Sequence, residues 1–86
     1  MANYKILIKP STVKELKRLR KKDVQRITLK IQSLSDEPRP HGCEKLSAQE
    51  RYRIRHGNYR IVYSIEDDKL IVYVIKISHR SDVYNK

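Results

Sequence analysis

Arg53, Arg55 and Arg60 fall within one short stretch, Arg51-Tyr52-Arg53-Ile54-Arg55-His56-Gly57-Asn58-Tyr59-Arg60-Ile61-Val62-Tyr63. Apolar and basic residues alternate there on both sides of Gly57-Asn58. A guanidinium is permanently charged, and its planar fork matches phosphate oxygens. Three of them on one surface would suit a polyanion and could stabilise the charge that builds on a phosphorus under attack. His79 can move a proton near neutral pH. Tyr84, further along the chain, could orient a hydroxyl, stack on a base or assist proton transfer. Metal-free RNA cleavage needs this kind of set: a base for the 2′-hydroxyl, an acid for the 5′-oxygen, and cations for the phosphorane. Taken singly, His79 reads as a surface histidine at a strand end and Tyr84 as a packing tyrosine. Only the combination points to a site.

Hairpin register decides whether the arginines share a face. Gly57-Asn58 as a two-residue type II′ loop pairs His56 with Tyr59, Arg55 with Arg60, Ile54 with Ile61 and Tyr52 with Tyr63. Cross-strand partners share a face. Tyr52, Ile54, Ile61 and Tyr63 then form an inner side, and Arg53, Arg55 and Arg60 an outer one. A three-residue loop would mix the two sides. Arg55 opposite Arg60 breaks the rule against like-charge pairs, and such breaks collect at functional sites. The alternative is that the arginine stems pack together while their heads fan into water. Taking Asp67-Asp68 as a second two-residue loop pairs Glu66 with Lys69 and Ile65 with Leu70. Ile71, Tyr73, Ile75 and Ile77 then join the arginine side, and alternation adds His79. The apolar patch so formed suggests a covering protein partner.

The elements that would hold this hairpin follow from periodicity. Residues 4–9 alternate as a first strand, which Pro10 stops. Ser11 or Thr12 can cap a helix carrying Val13, Leu16 and Leu19. A break near Lys22-Asp23, with Asp23 as the cap, starts a second helix with the stripe Val24, Ile27, Ile31 and Leu34. Leu29 lies off that stripe and reads as an exposed leucine. The prolines at 38 and 40 end the helical pattern, and a loop runs through Cys43 and Glu44. Strands are expected at 51–56, 59–66 and 70–78, the last apolar enough to be central, with the first strand as a candidate neighbour. The order β-α-α-β-β-β predicts an α+β fold with a helical hairpin on one face of a small, mostly antiparallel sheet.

Composition sets the frame. The chain has 86 residues, 38% of them apolar, with no Phe or Trp, so a single domain over 1–86 with a modest core is expected. Twenty Lys and Arg against ten Asp and Glu leave a net charge of +10, which favours nucleic acid, an acidic protein or an anionic membrane as partner. A single cysteine, Cys43, allows no internal disulfide and fits a reducing compartment. It has no activating neighbours in the sequence. No signal peptide or membrane span is evident, so a cytoplasmic protein is expected. His41 and Cys43 lack partners at zinc spacing, and two glycines make no phosphate loop, so neither a metal nor another cofactor is expected.

Three segments together resemble the RelE-type toxins of the RelE/ParE superfamily from type II toxin–antitoxin systems. They are Lys45-Leu46, the hairpin from Tyr52 to Tyr63, and His79-Arg80-Ser81-Asp82-Val83-Tyr84. The resemblance spans essentially the whole chain. It implies a small toxin that enters the ribosomal A site and cuts mRNA, held in check by a cognate antitoxin. It places catalysis on Arg53, Arg55, Arg60, His79, Arg80 and Tyr84. Arg53 and Arg55 stand where family members often have lysines, and either His79 or Arg80 fills the family's arginine position. The candidate bases are His79, Glu50 and Tyr84, because arginine does not readily give up its proton. Lys17, Arg18, Lys21, Lys22, Lys45 and Arg51 are expected to contact RNA and the ribosome. Arg55, Arg60, Tyr73 and Ile75 are expected under the antitoxin. Two rival readings share the sequence: a ParE-like inhibitor of DNA gyrase, and a non-catalytic RNA-binding domain.

Overall fold

Pro10 opens a helix as well as ending a strand. The computed structural model describes residues 3–46 and 50–79. Its elements are β1 (Lys5–Ile8), α1 (Pro10–Lys17), α2 (Lys21–Ser33), β2 (Glu44–Leu46), β3 (Arg51–His56), β4 (Tyr59–Glu66) and β5 (Ile71–His79). Proline suits the first turn of α1, where its missing N–H costs nothing. Lys9 takes the cap position without a side-chain bond, so neither Ser11 nor Thr12 caps this helix. The helical pair breaks at Arg20, earlier than expected. Asp23 therefore sits in the first turn of α2, where a carboxylate favours the positive end of the helix.

Five strands form one sheet in the order β1-β5-β4-β3-β2. β1 runs parallel to the interior strand β5, and the other pairs are antiparallel. The short β2 replaces part of the expected loop and adds a fifth strand. Both helices lie on one face, and the fold is α+β as expected. Ile27, Ile31 and Leu34 of the second helical stripe are buried against Tyr52, Ile54, Ile61, Tyr63, Val72 and Val74. Tyr52 and Tyr63 are cross-strand partners and stack with ring centroids 5.9 Å apart. Burial holds the Tyr63 phenol neutral well above its ordinary range, and its hydroxyl donates to the Pro38 carbonyl at 2.7 Å. Leu29 is exposed, as its off-stripe position requires.

The hairpin register is the expected one. His56 pairs with Tyr59, Arg55 with Arg60, Ile54 with Ile61 and Tyr52 with Tyr63. Gly57 has φ +60°, and Asn58 is not left-handed, the sign pattern of a type II′ loop.

The β4–β5 pairing departs from expectation twice. Its turn takes four residues, so Glu66 pairs with Ile71 and Ile65 with Val72. Leu70, expected inside a strand, sits in the turn at φ +54° with its side chain exposed. The register then shifts: Tyr63 pairs with Val74, but Val62 pairs with Lys76. Ile75 is the extra residue of a β-bulge, and beyond it every side chain changes sides. Ile77 consequently pairs with Ile61 and is buried under the helices, and His79 pairs with Tyr59 on the same side. Strict alternation placed both on the arginine face, and the bulge overturns that placement.

Candidate nucleic-acid interface

The helix-free face of the sheet carries the arginines. Arg55 and Arg60 are direct cross-strand partners, and Arg53 lies in the next outward-facing row, between Glu44 and Val62. Arg53 is half-buried, and its Nη2 donates to Glu44 Oε1 at 3.0 Å. Its Nε is buried without an acceptor among the described residues. The described ion pairs involve neither Arg55 nor Arg60. One arginine is therefore held by a carboxylate and two present open forks.

Lys76 joins this face, and sequence reasoning missed it. Its position opposite Val62 puts it beside the rows of Arg53 and Arg60. The only signal for it was the bulge, which no residue type between Tyr73 and Ile77 advertises. A shallow trough on the same face is lined by Lys9, Glu50, Arg51, Ser64, Tyr73 and Ile75. It brings Arg51, Tyr73 and Ile75 onto the surface that carries Arg55 and Arg60. Glu50 sits at its border and pairs with Lys45 at 3.6 Å. Lys45 lies on the edge strand opposite Tyr52, out of the arginine rows.

His79 occupies a separate place. Its ring meets Tyr59 edge-on, with centroids 4.8 Å apart, and Tyr59 donates to Asp23 Oδ2 at 3.0 Å. Glu15, Arg18, Leu19 and Ile77 line a hollow with this pair. Lys17, Arg18, Lys21 and Lys22 are exposed on the helical layer, across the molecule from the arginines. Arg80 and Tyr84 lie outside the described residues. No group of three or more His, Cys, Asp or Glu among the described residues could hold a metal ion. No helix among them is long and apolar enough to cross a membrane.

A family model described as the ParE toxin of type II toxin–antitoxin system, parDE, matches residues 6–84. The chain belongs to this toxin family. Its relatives place it within the wider RelE/ParE superfamily. An Escherichia coli protein named as a RelE-like toxin is 29% identical over 86 aligned residues, covering 95% of this chain and 90% of that protein. The RelE–RelB complex of Pyrococcus horikoshii contains a chain that superposes with a TM-score of 0.83 at 28% identity, covering 91% of this toxin and 96% of that chain. The isolated Escherichia coli RelE toxin superposes with a TM-score of 0.78 at 28% identity, covering 94% and 90%. The toxin therefore shares its whole fold with proteins named RelE.

Proposed function

We propose that this toxin is a ribosome-dependent mRNA endoribonuclease that cuts mRNA in the ribosomal A site and so stops translation. The observation that carries this reading is the cross-strand pair Arg55–Arg60 on the helix-free face. Two like charges held side by side cost some tenths of a kcal/mol. A phosphate between them would remove the repulsion and accept charge-assisted hydrogen bonds from both forks. In the reaction the 2′-oxygen–phosphorus bond forms and the phosphorus–5′-oxygen bond breaks. The 2′-hydroxyl proton passes to a base, and the departing 5′-oxygen takes one from an acid. Arg55 and Arg60 would stabilise the phosphorane, supported by Arg53 and by Arg80 in the family's arginine position. With His79 on the helix side, proton transfer falls to Glu50 and Tyr84 in this scheme. The route itself needs no metal ion.

The partners follow from the same reading. Lys17, Arg18, Lys21 and Lys22 would touch ribosomal RNA from the helical layer, while Arg51 and Lys45 guide mRNA at the sheet. A cognate antitoxin would lie over Arg55, Arg60, Tyr73 and Ile75. Relatives determined as RelE–RelB complexes support a protein partner of this kind.

Primer extension on mRNA in a purified translation system tests the proposal. The wild type should cut in the A site. Arg60→Ala should slow cutting about 100-fold or more, the usual effect of losing one donor to a transition-state anion. Tyr84→Phe should slow it about 100-fold if the phenol transfers a proton. The ParE description of the matching family favours the gyrase reading as second choice. Inhibition of purified gyrase without any mRNA cutting would replace the first reading with that one.

A further inference from the structure

We infer that Lys76 is a fourth RNA-phosphate contact on the arginine face, placed there by the β5 bulge. The inference rests on the RNA-directed reading above. The bulge gives Lys76 an exposed, outward position between two buried residues of the same strand, Val74 and Ile77. Val62 is the shared partner of Lys76 and Arg53 in neighbouring strands, and Ser78, two residues after Lys76, pairs with Arg60. Diagonal neighbours of this kind lie about 7–8 Å apart between backbones, within reach of two long basic side chains. Lys76 and Arg60 can thus approach one phosphate or two successive ones.

Two further observations favour a ligand over a merely solvated charge. The described ion pairs do not involve Lys76, although Lys45, Arg53 and Lys69 each have a carboxylate neighbour. And the bulge is secured from behind. Thr12, fully buried in α1, donates its hydroxyl to the Ile75 carbonyl at 2.5 Å, and Lys9 N–H donates to the Val74 carbonyl at 2.9 Å. The backbone that aims Lys76 is therefore fixed by two bonds from outside the strand pair. A lysine contributes a compact charge with rotatable donors, so it would anchor the RNA backbone while the arginines grip the reacting phosphate in a fixed geometry.

The test is binding of the purified toxin to a short, 5′-labelled single-stranded RNA across a range of salt concentrations. Lys76→Ala should flatten the plot of log affinity against log salt by about 0.7, the share of one phosphate contact on a single strand. Lys76→Arg should keep the wild-type slope. Lys30→Ala, which removes the same charge from the helical layer, should leave it unchanged. An unchanged slope for Lys76→Ala overturns the assignment, as does an equal drop for Lys30→Ala, or wild-type binding without salt dependence. Cutting in the translation system is read separately. A wild type that fails to cut while binding depends on Lys76 sinks the nuclease reading and leaves Lys76 in place. A wild type that cuts while the Lys76→Ala slope is unchanged does the reverse.

Discussion

At the residue scale, one hydroxyl helps to hold the bulge that turns Lys76 outward. Thr12 has no exposed surface and serves the Ile75 carbonyl, which the bulge takes out of regular pairing. Thr12→Val keeps the shape and removes the donor from a part-buried carbonyl. It should cost about 1–3 kcal/mol, read as a lowered urea midpoint, while Thr12→Ser should retain most of the stability. The arginine pair was legible in the sequence because alternation around Gly57-Asn58 is a local pattern. Thr12 was not, because its partner lies 63 residues away. Its place just after a strand-ending proline reads as a helix cap, the usual role of threonine there. The Glu44–Arg53 pair escaped for a related reason: it exists only because β2 adds an edge strand in register with β3.

At the scale of elements, the β3–β4 hairpin and the stripe of α2 followed directly from periodicity. β5 did not, although its interior place beside β1 did. Its apolar run gives no sign of where alternation slips, and Leu70 carries no turn signature. A left-handed leucine costs about 1–2 kcal/mol against glycine, of which the greater chain entropy of glycine returns about half. Leu70→Gly should therefore stabilise the toxin by about 0.5–1 kcal/mol in urea unfolding, with β4–β5 pairing unchanged. A loss of stability would mean that the exposed Leu70 side chain makes a contribution larger than its backbone strain.

At the scale of the whole molecule, Asp67 ties three distant parts together. It accepts from Arg39 Nη1 and Nη2 at 3.1 and 2.8 Å and from the Tyr4 hydroxyl at 2.7 Å. Arg39 also donates to Tyr52, 3.1 Å away. The residue before β1, the segment between Pro38 and Pro40, and the β4–β5 turn are joined at the end of the sheet away from Gly57. The hydrogen bonds from Arg39, then that from Tyr4, pull the Asp67 carboxyl down to about 2. Because its folded value is depressed, this contribution is present above the ordinary carboxylate range and fades as pH falls from about 4 towards 2. The wild type should lose melting temperature across that window more steeply than Asp67→Asn, and the two curves should run parallel from pH 5 upward.

The bulge at Ile75 also bears on how the gene for this toxin can vary in length. The strand is read in two frames, one before Ile75 and one after. Removing Ile75 alone would close the bulge and leave Lys76 outward and Ile77 under the helices, because Tyr63 and Val62 would then face consecutive residues of β5. Exchanges at position 76 alter only an exposed side chain, so they should be tolerated by the fold. A one-residue deletion at 75 keeps both faces and forfeits the Thr12 bond to the Ile75 carbonyl, whereas a one-residue insertion between Lys76 and Ile77 would turn Ile77 into water and is expected to be purged.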